Sequence, residues 1–80
     1  MPAVTINNIN KALADKRLPF EIVKGYCYFW FAATPDAPMG VEECVNSIYS
    51  NHLRGETIEQ YVAHAQAGYD NWSSSQEELL

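Results

Sequence analysis

The stretch Phe20-Glu21-Ile22-Val23-Lys24-Gly25-Tyr26-Cys27-Tyr28-Phe29-Trp30-Phe31 decides how this chain folds. Two runs of β-branched and aromatic residues flank Lys24-Gly25, which reads as a hairpin turning at that pair, with Gly25 supplying positive φ. A two-residue turn there sets Val23 opposite Tyr26, Ile22 opposite Cys27, Glu21 opposite Tyr28 and Phe20 opposite Phe29. Side chains alternate across a sheet, so one face carries Phe20, Ile22, Cys27, Phe29 and Phe31, and the other Glu21, Val23, Tyr26, Tyr28 and Trp30. The first is a core face. The second has apolar bodies with polar tips, and an ionised Glu21 there is costly to bury unpaired, so this is the side expected to be wet. A small domain has little reason to leave Tyr-x-Tyr-x-Trp in water unless something binds it. The alternatives are that a helix covers this face, or that a second copy does.

Working outward, Thr5 to Arg17 places Ile6, Ile9 and Leu13 at helical spacing, with Thr5 as the cap and Pro19 as the stop, so a helix is expected over 5–17. Downstream, Thr34 to Gly40 is a breaker-rich loop. Glu43 to Ser50 reads as a third strand, with Cys44, Asn46 and Ile48 on one face and Val45, Ser47 and Tyr49 on the other. If it pairs with the second strand, Tyr49 joins the Tyr26, Tyr28 and Trp30 surface. Thr57-Ile58-Glu59-Gln60 has the form of a capping box. Ile58, Tyr61, Val62, Ala65, Tyr69 and Trp72 then follow the period of a helix, expected to end near Gly68 to residue 70. Residues 73–80 read as a flexible acidic tail in which Leu79-Leu80 can dock on a neighbour.

The expected fold class is therefore α+β: a two-layer sandwich in the order α-β-β-β-α, a three-stranded antiparallel sheet with two helices on one face. Residues 1–72 form the domain. Its expected core is Ile9, Leu13, Ile22, Phe29, Phe31, Ile58, Val62 and Ala65.

Composition bounds the function. The chain has 80 residues, 48% of them hydrophobic and 19% charged, the make-up of one small globular domain. No apolar run reaches the roughly 20 residues of a membrane helix, and no signal-peptide core is evident, so no membrane partner and a cytoplasmic setting are expected. The net charge of -5 weighs against phosphate backbones, and hence against nucleic acid. Charge is also uneven: Lys11, Lys16, Arg17 and Lys24 exceed Asp15 and Glu21 up to residue 24, whereas beyond it Arg54 alone faces eight carboxylates. The carboxylates are either a solvated surface or one aimed at a basic partner. Cys27 and Cys44 are expected as reduced thiols, Cys27 in the core, with a bridge between them the weaker reading.

No phosphate loop, dinucleotide fingerprint, nucleophile elbow or Cys-x-x-Cys pair is present. His52 and His64 are read as solvated rather than metal-ligating, and Glu42 and Glu43, adjacent on a strand, point opposite ways. No enzyme, catalytic residue, metal or cofactor is expected. The candidate site is a partner-binding one: Glu21, Tyr26, Tyr28, Trp30 and Tyr49.

Three segments, Gly25-Tyr26-Cys27-Tyr28-Phe29, Ser47-Ile48-Tyr49 and Thr57-Ile58-Glu59-Gln60-Tyr61-Val62, together resemble a loose class of small phage- and prophage-encoded orphan proteins. The likeness spans about three quarters of the chain (the first helix to Val62 and beyond), through short, mostly structural motifs. It implies a bacterial host cytoplasm and an accessory role exercised by binding a host or phage protein. It transfers no activity to any residue. The expected function is thus a non-enzymatic binding protein, with a self-associating structural subunit, a homodimer through the sheet face, as the alternative, and single-stranded nucleic-acid binding a more distant one.

Overall fold

A computed structural model describes residues 3–50 and 52–78, with the side chains of residues 77 and 78 left aside. Its order is α1 (Ile6–Asp15), β1 (Phe20–Lys24), β2 (Phe29–Ala33), a 3-10 turn (Val41–Cys44) and α2 (Ile58–Glu78). The class is α+β, but the sheet has two antiparallel strands, not three.

α1 forms as its sequence dictates. The Thr5 hydroxyl accepts from the Asn8 N–H at 3.1 Å, and the stripe delivers Ile9 and Leu13 into the core. At its other end Arg17 adopts φ 58°, the Leu18 N–H donates to the Leu13 carbonyl and the Arg17 N–H to the Ala14 carbonyl. This is a Schellman ending whose left-handed residue is an arginine rather than a glycine, closed by the buried pair Leu13 and Leu18.

The hairpin pairs Phe20 with Ala33, Glu21 with Ala32, Ile22 with Phe31, Val23 with Trp30 and Lys24 with Phe29. Each β1 residue thus meets a partner four positions further along than a turn at Lys24-Gly25 would give. The reversal occupies Gly25 to Tyr28, closed by the Gly25 N–H to the Tyr28 carbonyl at 2.8 Å, and β2 begins at Phe29 rather than at residue 26. Positive φ falls on Cys27 (63°), not on Gly25. Gly25 serves another purpose: the Tyr28 ring lies where its Cβ would be. Cys27 is consequently exposed at the turn and not part of the core. A shift of four is even, so each strand residue keeps its face. Phe20, Ile22, Phe29 and Phe31 are buried, Phe20 and Phe31 meeting edge to face.

The third strand fails for a local reason. Ile48 exchanges two backbone hydrogen bonds with Phe29, both 2.8 Å, and the ladder stops there. Its next step would need the Asn46 carbonyl to accept from Phe31. Instead that carbonyl lies 3.0 Å from His64 Nε2, and the His64 ring stacks on Phe31 at 5.7 Å. Upstream, Cys44 and Val45 press against α2 at Gly68, whose missing side chain admits them. Residues 44–46 therefore belong to the helix rather than to the sheet. His64, expected as solvated, is half-buried in this contact.

α2 opens with the capping box: the Gln60 N–H donates to Thr57 Oγ1 at 3.1 Å, and the Thr57 N–H to Gln60 Oε1 at 2.7 Å. It does not end at Gly68. Tyr69 and Trp72 continue the packed stripe, and the helix runs to Glu78, through residues expected as tail. The propensity cost of a helical glycine is about 1 kcal/mol, less than those contacts return. Leu79 and Leu80 lie outside the described residues.

Both helices meet the phenylalanine face of the hairpin in one cluster. Of the expected core, Ile58 and Val62 are only partly buried, while Tyr61, Phe20, Val41, Leu18 and Leu53 are added. The Tyr61 hydroxyl satisfies itself on the Leu53 carbonyl at 2.8 Å. The outer edge of β1 is closed by a side chain: Asn10 Oδ1 accepts from the Ile22 N–H at 2.6 Å and its Nδ2 donates to the Ile22 carbonyl at 3.4 Å. One amide thus stands in for a strand partner.

Candidate functional site

With both helices on one side, the hairpin's other side is left to solvent. β1 contributes Glu21, exposed, and Val23, half-buried; β2 contributes Trp30 and Ala32. Their positions follow from the register: Val23 lies opposite Trp30 and Glu21 opposite Ala32. Trp30 is 39% exposed, much for a tryptophan in a strand.

At the turn end of this face a second aromatic group forms. Alternation sets Tyr28 on the side of Trp30, and the Phe29–Ile48 bridge brings Tyr49 beside Tyr28. The two rings are 6.3 Å apart and tilted by 36°. The Tyr28 ring rests on Gly25, which holds it down on the hairpin, whereas Tyr49 is 85% exposed. Tyr26, placed by sequence in the strand, stands instead in the turn, 90% exposed. Four of the candidate residues, Glu21, Tyr28, Trp30 and Tyr49, thus belong to one side of the hairpin, and Tyr26 to its tip. Tyr49 reaches this face through a single bridge, without the strand that was expected to carry it.

The half-buried Ala32, opposite Glu21, is a part of this face that alternation alone did not single out. Met39, 96% exposed between Pro38 and Gly40, belongs to the breaker-rich loop after β2.

Other concavities are shallow. One of about 510 Å³ runs between α1 and α2 over Ala12, Ile58, Val62 and Ala63, rimmed by Asp15, Lys16, Glu59 and Gln66. Its polar groups are not brought into contact by any hydrogen bond within the cleft among the described residues. Gln66 turns instead to Asp70, 3.0 Å away along its own helix. Among the described residues no group of three or more His, Cys, Asp and Glu side chains is placed to hold a metal ion. Burial, reinforced by the negative charge of Glu56, pushes the Tyr61 hydroxyl above its ordinary value of 10.0. That group is a structural one, inside the core and remote in role from the exposed face.

Among the described residues no helix is long and apolar enough to cross a membrane. Comparison with protein-family models, with curated proteins and with solved structures gives no match.

Proposed function

We propose that this protein is a non-enzymatic binding module, an accessory protein of the phage or prophage type, that engages a host or phage protein through the outer face of its hairpin. The supporting observation is the grouping of Trp30, Tyr28 and Tyr49, with Glu21 beside them, on the side of the sheet that neither helix covers. Tyrosine and tryptophan bury large area at small conformational-entropy cost and keep a polar tip for a rim, which is why interfaces favour them. Charge weighs against nucleic acid as the occupant, since base-stacking platforms come with flanking Lys and Arg and this face has neither.

Capture from bacterial lysate, run with the parent and with Trp30→Ala and Tyr49→Ala, tests the reading. Both positions are exposed, so the substitutions leave the core intact, as an amide spectrum will verify. Retained proteins that disappear with either substitution support the reading. An unchanged set would place the binding elsewhere. Light scattering on the isolated chain addresses the remaining occupant: a monomer at high micromolar concentration removes the homodimer, and a dimer abolished by Trp30→Ala establishes it instead.

A further inference from the structure

We infer that the group this face receives is a guanidinium, carried by an arginine-bearing segment of the partner protein. The inference rests on the binding role proposed above and names the chemistry of its occupant.

Glu21 carries it. The carboxylate is exposed in the middle of a strand, and its cross-strand neighbour is Ala32, which offers neither charge nor hydrogen bond. Lys24, the nearest cation along β1, is an odd number of positions away and so belongs to the opposite face. The diagonal neighbour of Glu21 across the strands is Trp30, a separation of about 7–8 Å between such positions in antiparallel pairs. A carboxylate and an indole at that spacing make the two halves of an arginine site. The guanidinium plane lies over the ring, and its N–H fork turns to the carboxylate. An ammonium fits less well, being more strongly hydrated and unable to stack as a plane. Tyr28 and Tyr49, 6.3 Å apart, extend the stacking surface toward the turn.

Charge complementarity points the same way. The protein carries -5 overall, and Arg54 is the one cation after Lys24. A second copy would bring the same charge and the same Glu21 to the contact, and a phosphate backbone would be repelled.

The test uses the full chain with Trp72→Phe, so that Trp30 is the one indole emitting. Phenylalanine retains an aromatic ring at 72 and removes an N–H that is buried without a hydrogen-bond partner among the described residues. Three capped peptides serve as probes, alternating glycine with arginine, lysine or glutamate. The expected result is a saturable change in Trp30 emission with the arginine peptide, weaker binding of the lysine peptide and none of the glutamate peptide. Glu21→Gln should weaken the arginine peptide about tenfold, the scale of one charge-assisted hydrogen bond, and salt should weaken it further. Equal binding to Glu21→Gln, equal affinity for lysine and arginine, or no binding at all would overturn the inference. If the arginine peptide fails while lysate proteins still depend on Trp30 and Tyr49, the binding role stands and this occupant falls. If both fail, both fall.

Discussion

Gly68 occupies a position where helix propensity alone would favour alanine by about 1 kcal/mol. In the structure a Cβ there would run into the Val45 side chain and come within 2.8 Å of the Cys44 carbonyl. Backbone cannot move aside as a flexible side chain can, so overpacking, at about 1–3 kcal/mol, outweighs the propensity gain. Gly68→Ala is expected to lower stability by about 1 kcal/mol or more and to depress Tm by several degrees in thermal denaturation; a rise would mean that residues 44–46 do not rest on α2. Arg17 is the converse case. A side chain held at φ 58° costs about 1–2 kcal/mol, of which glycine's extra freedom in the unfolded chain returns part. Arg17→Gly should therefore raise stability by about 0.5–1 kcal/mol in a urea titration with an unchanged slope. Both residues show how far single positions can be read ahead of a structure. The Thr5 cap and the Thr57/Gln60 box follow from side-chain chemistry acting over three residues. Gly68 was legible only as a weakness, because its reason is a segment more than twenty residues away.

At the level of elements, faces were easier to read than pairings. A hairpin slipped by four residues still buries Phe20, Ile22, Phe29 and Phe31 and exposes Glu21 and Trp30, because an even slip keeps every strand residue on its face despite an incorrect turn. The third strand did not, because alternation over residues 43–50 says nothing of competition for one carbonyl. His64 takes the Asn46 carbonyl at 3.0 Å and covers Phe31, and the ladder ends after one bridge. Amide exchange should show this directly: Phe29 and Ile48 protected as a pair, with Asn46 and Tyr49 exchanging fast. Protection at every second residue from 44 to 50 would mean that the strand forms in solution. His64→Ala should cost about 1–2 kcal/mol through the lost stack and hydrogen bond. It should also free Asn46 to extend the ladder, seen as new protection at Phe31.

Over the whole molecule, the core holds the connector between sheet and α2 at Leu53, through its buried side chain and through a buried hydroxyl on its carbonyl. Tyr61 is 1% exposed and donates to the Leu53 carbonyl. Since burial and then Glu56 raise its pKa above 10.0, the folded protein holds the phenolic proton more tightly than the unfolded chain does. The sign of the linkage follows. Stability is complete below about pH 10, where the unfolded tyrosine is still neutral, and falls as pH rises toward and through the folded value, because only the unfolded chain then gains by ionising. Urea titrations at neutral pH and at about pH 11 should differ in midpoint for the parent, and the difference should shrink in Tyr61→Phe. That variant should itself be less stable at neutral pH by about 1–2 kcal/mol, because the Leu53 carbonyl loses its donor inside the core. The exposed face, by contrast, should not sense the buried hydroxyl: in the Trp72→Phe background, Trp30 emission should follow the same pH course with and without Tyr61→Phe over the range in which the fold persists. A Trp30 signal that differs between the two before unfolding would couple the core to the proposed binding face, and the hairpin could then no longer be treated as a rigid platform.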